Sequence, residues 1–177
     1  DVKPQNILLD ERERVYLADF GIAKMLEGGS QLTATGMISG TPQYMAPEQA
    51  VTNKVDARAD IYALGVVAYE LLTGRVPFAA DTPVAVLMKH AQEQVPLPAA
   101  HEVREPMMRA VLKALAKKPD DRWSTALAFA EGLEAARAVF ENYRQAGESQ
   151  HASAALALVV STVGAQALPD LLAVGVS

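Results

Sequence analysis

The chain begins Asp1-Val2-Lys3-Pro4-Gln5-Asn6, which places a carboxylate, an ammonium and a carboxamide within six residues, and a second carboxylate follows in Asp19-Phe20-Gly21. Farther on stands Gly40-Thr41-Pro42-Gln43-Tyr44-Met45-Ala46-Pro47-Glu48. A carboxylate can orient a hydroxyl and take its proton, and a lysine can offset charge on anionic oxygens. Carboxamide and carboxylate oxygens are hard donors of the kind divalent cations take. Such a set suits a reaction that needs positioning and charge stabilisation more than covalent help. Alone, the Asp-x-Lys-x-x-Asn string reads as a solvated turn, and Asp19-Phe20-Gly21 alone reads as a turn ending a strand. The information lies in their occurring together and in order.

These residues need a floor and a scaffold. Ile7 to Leu9 and Val15 to Ala18 are short apolar runs separated by Asp10-Glu11-Arg12-Glu13-Arg14, the spacing of a two-stranded hairpin with a polar loop. From Asp19 to about Tyr44 the chain is rich in Gly, Ser and Thr and keeps neither strand nor helix periodicity, which marks a long functional or mobile loop. Ala57 to Thr73 reads as a helix ending at Gly74 with Pro77 beyond. Its apolar residues Ile61, Leu64, Val66, Val67, Ala68, Leu71 and Leu72 surround the axis, so this helix is expected to be buried on all sides as the central strut. Further helices are expected at Pro83 to Gln94, Glu105 to Ala116 and Ser124 to about Tyr143.

Composition bounds the class. The 177 residues carry 16 Lys+Arg against 21 Asp+Glu, a net charge of −5, with 50% hydrophobic residues and no cysteine. One globular domain with a tail is expected. No basic footprint for nucleic acid is present, and disulfides and thiolate metal sites are excluded. His90, His101 and His151 are too scattered for a metal site and read as surface or packing residues. Arg104, Arg109, Lys113, Lys117 and Lys118 read as a solvated helix face, and Trp123 as core or core-edge packing. Residues 152–169 are uncharged but rely on Ala and include Ser, Thr, Gly and Gln, so a packed or partly disordered helical tail is favoured over a membrane span, which needs about 20 predominantly apolar residues.

The three motifs in order closely resemble the C-terminal lobe of a protein kinase, from Asp1 to about Leu133. Ala46-Pro47-Glu48-Gln49-Ala50, Val55-Asp56-Ala57-Arg58-Ala59-Asp60-Ile61-Tyr62 and Val111-Leu112-Lys113-Ala114-Leu115-Ala116-Lys117 make the likeness strongest to bacterial Hanks-type serine/threonine kinases. The fold implied is mainly α: a helical bundle around a buried central helix, with a short β hairpin at the cleft floor and no N-lobe. Residues 1–138 would be the partial kinase domain, and 139–177 a helical or partly disordered tail.

The resemblance implies roles. Asp1 would accept or orient the proton of the acceptor hydroxyl, and Lys3 would neutralise charge on the transferring phosphate of ATP. Asn6 and Asp19 would hold Mg²⁺, and with Lys3 they would make up the ATP-binding set. Phe20 would pack beneath the metal and Gly21 would allow the bend. Thr41 would bind the catalytic Asp and Lys on the substrate side, and with Lys3 it points to Ser/Thr acceptors. Gln31-Leu32-Thr33-Ala34-Thr35 resembles the doubly phosphorylated activation loop of those kinases, which makes Thr33 and Thr35 candidate phosphorylation sites. Glu48 would pair with Arg122, and Asp60 would be a buried acceptor for backbone N–H groups of the catalytic loop.

The chain reads as a fragment that starts inside the catalytic loop, without the Gly-rich loop, the strand lysine, its glutamate partner or the His-Arg pair expected ahead of Asp1. By itself it is expected to be inactive. The intact protein is expected to phosphorylate Ser/Thr of protein substrates with ATP and Mg²⁺, with a second copy of the kinase as partner for autophosphorylation and no nucleic acid. A cytoplasmic kinase domain is expected, with a membrane anchor in the parent allowed by the resemblance. The alternatives are a pseudokinase or scaffold lobe that only binds proteins, and a helical binding domain unrelated to kinases.

Overall fold

The computed structural model describes residues 1–19, 41–51, 55–99 and 105–144. The chain opens with a 3₁₀ turn, Pro4–Asn6, that proline at its first position favours. It runs into β1, Ile7–Leu9, which pairs antiparallel with β2, Val15–Leu17, in the register Ile7 to Leu17, Leu8 to Tyr16 and Leu9 to Val15. Asp10 closes the connection: its Oδ1 accepts the N–H groups of Arg12 and Arg14 at 2.9 Å each, and its Oδ2 accepts Arg14 Nε at 2.7 Å. These bonds, the Arg14 backbone bond foremost, hold the Asp10 carboxyl below the usual carboxylate range. The second strand stops one residue short of the expected Ala18, whose N–H donates to Asn6 O at 2.7 Å instead of continuing the ladder.

A second 3₁₀ turn, Pro42–Tyr44, leads to helix α1, Pro47–Val51. This helix was not among those expected, because five residues are too few to show a period. Its start is tied down by Gln49 Oε1, which reaches back to accept the Ala46 N–H at 2.8 Å.

Helix α2, Arg58–Thr73, starts where Asp56 Oδ1 accepts the Arg58 N–H at 2.9 Å. It ends at Gly74, whose φ of 73° is the left-handed conformation that glycine adopts without strain. Ala59 and Ile61 to Tyr69 are all buried, as a central strut requires. Leu71 is the exception at 44% exposed, while Leu72 beside it packs against the core. Helix α3, Pro83–Gln92, is capped by Thr82 Oγ1, which accepts the Ala85 N–H at 3.2 Å. It stops two residues before the expected Gln94, where Glu93 turns extended ahead of Pro96 and Pro98.

Helix α4, Glu105–Ala114, likewise ends before the expected Ala116, whose N–H bonds Lys113 O in a tightened last turn. A third 3₁₀ turn, Pro119–Asp121, precedes helix α5, Ala126–Arg144. Thr125 Oγ1 accepts the Ala128 N–H at 3.0 Å, so α5 begins after Thr125 rather than at Ser124. Helix α2 packs on α4 and α4 on α5, and the core fills the space between them. Gly65 permits this close approach: a Cβ there would meet the Ala114 Cβ at 2.9 Å.

The molecule is thus mostly helical with one two-stranded antiparallel sheet. Among the described residues no helix is long and apolar enough to cross a membrane, and residues 152–169 lie outside them.

Candidate active site

The first turn folds the polar residues of the opening segment back on themselves. Val2 anchors it in the core, and the Pro4–Asn6 turn aims the Asn6 side chain toward the start of the chain. Asn6 Nδ2 donates to Asp1 O at 2.8 Å and to Asp19 O at 3.3 Å. Both partners are carbonyls, which only accept, so the amide nitrogen must face them and Oδ1 is left on the opposite side. Asn6 is itself buried, so this orientation is held by its surroundings. Lys3 Nζ lies 2.7 Å from Asp1 Oδ2, both side chains being largely sheltered from water.

Asp19 is brought to the same place by the hairpin. Its φ of 56° is unusual for a residue with a Cβ, and such strain collects where a side chain must be aimed for function. Asp1, Lys3, Asn6 and Asp19, spread over 19 positions of sequence, therefore form one hydrogen-bonded cluster. The donor set that Asn6 and Asp19 offer fits a hard divalent cation that keeps waters and phosphate oxygens as its other ligands. Among the described residues no group of three or more His, Cys, Asp or Glu forms an all-protein cage.

One expected residue is placed differently. Asp60 is not buried: its side chain is 64% exposed, on a face of α2 that its core neighbours Ala59 and Ile61 do not share. Its Oδ1 lies 3.7 Å from the Asp1 nitrogen. Thr41 is half-buried at the head of the Pro42–Tyr44 turn, and its carbonyl accepts the Tyr44 N–H at 3.3 Å. Phe20, Gly21, Thr33 and Thr35 lie outside the described residues, as do His101 and His151.

Glu48 and Arg122 meet in the interior. Arg122 also donates to the carbonyls of Ala116, Arg58 and Lys117 at 2.8, 2.9 and 3.1 Å, so every guanidinium N–H has an acceptor. The guanidinium lies 4.8 Å from the centre of the Tyr62 ring. It joins α1, the start of α2 and the turn after α4.

Other anchors were not foreseen. Tyr44 Oη donates to Glu70 Oε2 at 2.6 Å, and burial followed by this bond raises the phenol well above its ordinary value. Arg58 bridges Asp56 and Asp120, with closest distances of 2.8 and 2.6 Å. Lys117 is not part of a solvated face: its Nζ donates to His90 O at 2.6 Å and lies 4.5 Å from the Phe78 ring centre, and burial lowers its pKa to about 8. Lys113 covers the Trp123 ring at 3.9 Å. Apart from Asp56–Arg58, these pairs join different elements, and no spacing rule marks them.

The protein kinase domain family matches residues 1–133. The chain belongs to the protein kinase family. Among its relatives, the serine/threonine-protein kinase PknB of Mycolicibacterium smegmatis is 50% identical over 129 residues, 71% of this chain and 21% of that protein. PknB of Mycobacterium tuberculosis is 46% identical over the same shares. The serine/threonine-protein kinase Pkn1 of Myxococcus xanthus is 45% identical over 144 residues, 78% of this chain and 21% of that protein. The kinase chain described here thus spans about a fifth of the length of these relatives.

Proposed function

We propose that this chain is the catalytic-loop and C-lobe portion of a serine/threonine protein kinase that transfers the γ-phosphate of ATP to Ser/Thr hydroxyls of proteins. The observation that carries the reading is the Asp1–Lys3–Asn6–Asp19 cluster, held by the 2.7 Å Lys3–Asp1 contact and the two bonds of the Asn6 amide. Asp1 orients the acceptor hydroxyl and takes its proton. Lys3 moves from Asp1 toward the anionic oxygens of the transferring group. Asn6 Oδ1 and the Asp19 carboxylate are the groups that would hold Mg²⁺, which when bound neutralises phosphate charge. Thr41 shapes the substrate side of the site. Lys3, Thr41 and the names of the relatives support Ser/Thr over Tyr as acceptor.

The activity belongs to the intact protein, and the 177 residues alone are proposed to be inactive, since they carry neither a Gly-rich phosphate loop nor the strand lysine with its glutamate partner. Its kinase domain is proposed to work in the cytoplasm, with protein substrates and a second kinase copy as partners. A membrane anchor elsewhere in the parent is compatible with this arrangement.

The test is phosphate transfer from labelled ATP to a Ser/Thr peptide by the intact protein, with Asp1→Asn as control. A Mg²⁺-dependent activity that falls about 10³-fold in Asp1→Asn is expected. An intact protein with no transfer, or one indifferent to Asp1→Asn, would replace this reading with a lobe that only binds proteins.

A further inference from the structure

A lysine ammonium in a folded protein is ordinarily either hydrated or paired with a carboxylate. Lys3 Nζ has Asp1 Oδ2 at 2.7 Å, Lys89 Nζ has Glu93 Oε2 at 3.8 Å, and Lys113 and Lys118 are exposed. Lys117 follows neither course. It is half-buried in the segment after α4, and among the described residues no carboxylate forms an ion pair with it. Its Nζ instead donates to His90 O, in the last turn of α3, at 2.6 Å. The same atom lies 4.5 Å from the centre of the ring of Phe78, which is buried.

An ammonium has three N–H donors, and a single carbonyl serves one of them. The Phe78 face attracts the charge, but burial and the nearby Arg122 oppose it. The other charged groups around Lys117 are already engaged. Glu93 favours the ammonium but is approached by Lys89, and Arg122 is held by Glu48. His90, from α3, stays neutral near pH 7 because burial holds its pKa at about 4. Burial prevails at Lys117 and lowers its pKa to about 8. A neutral amine still has an N–H for the His90 carbonyl and gains a lone pair, so it keeps its place after losing the proton. The side chain also retains contact with water, which gives a small reagent a way in.

We propose that Lys117 is a site of Nε-acylation by an acyl phosphate, the amine being held for attack between the His90 carbonyl and the Phe78 ring. The nitrogen lone pair adds to the acyl carbon and the C–N bond forms. The C–O bond to phosphate breaks, phosphate leaves with that electron pair, and the amine proton passes to phosphate or water. A small anionic donor suits a partly enclosed amine whose chain neighbour is the exposed Lys118. The product amide keeps one N–H for His90 O and carries no charge, so the modification alters the junction between the end of α3 and the segment after α4. None of Asp1, Lys3, Asn6 and Asp19 takes part, and the proposal stands or falls apart from the kinase reading.

The test incubates the intact protein with acetyl phosphate and follows each lysine by quantitative peptide mass spectrometry between about pH 7 and pH 9.5. At pH 7 Lys117 is expected to acetylate roughly tenfold faster than Lys118, because its neutral fraction is much larger while its lower basicity gives back part of the gain. Its rate should level off above about pH 8.5, whereas that of Lys118 should climb across the whole range. In urea the two lysines should react alike.

A Lys117 rate at pH 7 no greater than that of Lys118, or a rise with pH parallel to it, would overturn the proposal. A Lys117 rate that stays ahead in urea would also overturn it, since the advantage would then lie in the local sequence and not in the His90 and Phe78 contacts.

Discussion

Glu48 and Arg122, 74 residues apart, close on each other through two parallel bonds of 2.7 Å each, with Glu48 9% and Arg122 4% exposed. The fork fixes α1, the segment that follows the Pro42–Tyr44 turn, against the turn that follows α4. Its net contribution to stability is small because two charges had to leave water, but losing one partner strands the other. Arg122→Met should therefore destabilise the protein by about 3–5 kcal/mol in urea unfolding, and Glu48→Gln by less, since the amide can still accept one bond. Equal stability of Arg122→Met and wild type would show that water or a rearranged side chain compensates the Glu48 carboxylate.

The buried His90 makes a prediction about acid. Its folded pKa of about 4 lies below the ordinary 6.5, so between these values the unfolded chain carries a proton that the folded chain excludes. Stability from this group is complete above pH 6.5 and is lost as pH falls toward 4, by about 3 kcal/mol in all. Asp10 and Asp56, whose carboxyls are held below their ordinary value by bonds to Arg14 and Arg58, lose their contribution only below about pH 4. The two windows are therefore distinguishable. Urea unfolding at pH 7 and pH 4.5 should show the loss in wild type and a much smaller one in His90→Gln; a pH-independent wild type over that range contradicts it.

Much of this architecture was legible because its signals are local. Asp10 with its neighbouring arginines makes the hairpin turn, Gly74 ends α2, and the unbroken apolar run from Ile61 to Ala68 requires burial. The grouping of Asp1, Lys3, Asn6 and Asp19 was legible because Asp1, Lys3 and Asn6 share one short segment and the Asp19 motif follows a hairpin of readable length. Helix α1 was not legible, since its start depends on a single Gln49 side chain. The exposure of Asp60 and the burial of Lys117 and His90 were hidden for a common reason: each is decided by which distant element covers it. A lysine on a helix-ending segment has no sequence mark that distinguishes water from the Phe78 ring as its neighbour.

Two glycines are fixed by packing. A Cβ on Gly132 would come within 2.5 Å of the Trp123 ring, and one on Gly65 within 2.9 Å of the Ala114 Cβ. Trp123 cannot yield freely, because its Nε1 donates to Ala110 O at 3.0 Å and its ring stacks on Phe129. Alanine ordinarily improves a helix by about 1 kcal/mol over glycine. Overpacking costs about 1–3 kcal/mol, so Gly65→Ala and Gly132→Ala should both lower the melting temperature despite the better propensity. A higher melting temperature for either would mean that its neighbour, the end of α4 for Gly65 or the Trp123 ring for Gly132, moves aside at little cost.

Thr33 and Thr35 stand eight and six residues before Thr41, in a Gly- and Thr-rich stretch of the kind that a phosphate can organise. A phosphate adds about −1.5 to −2 charge and can order a loop against a cationic group. If the intact protein is a kinase that modifies a second copy of itself, phosphopeptide mapping after incubation with ATP and Mg²⁺ should find Thr33 or Thr35 modified in wild type and neither in Asp1→Asn. Replacing both threonines with alanine should then reduce activity toward a peptide severalfold, about the factor that 1 kcal/mol commands, while leaving the Asp1–Lys3–Asn6 cluster intact, because the ordering charge is lost. Phosphate at both sites in Asp1→Asn would point to a different enzyme as their modifier. Absence of phosphate at both in wild type would remove autophosphorylation from the account and leave the catalytic assignment to stand on Asp1 alone.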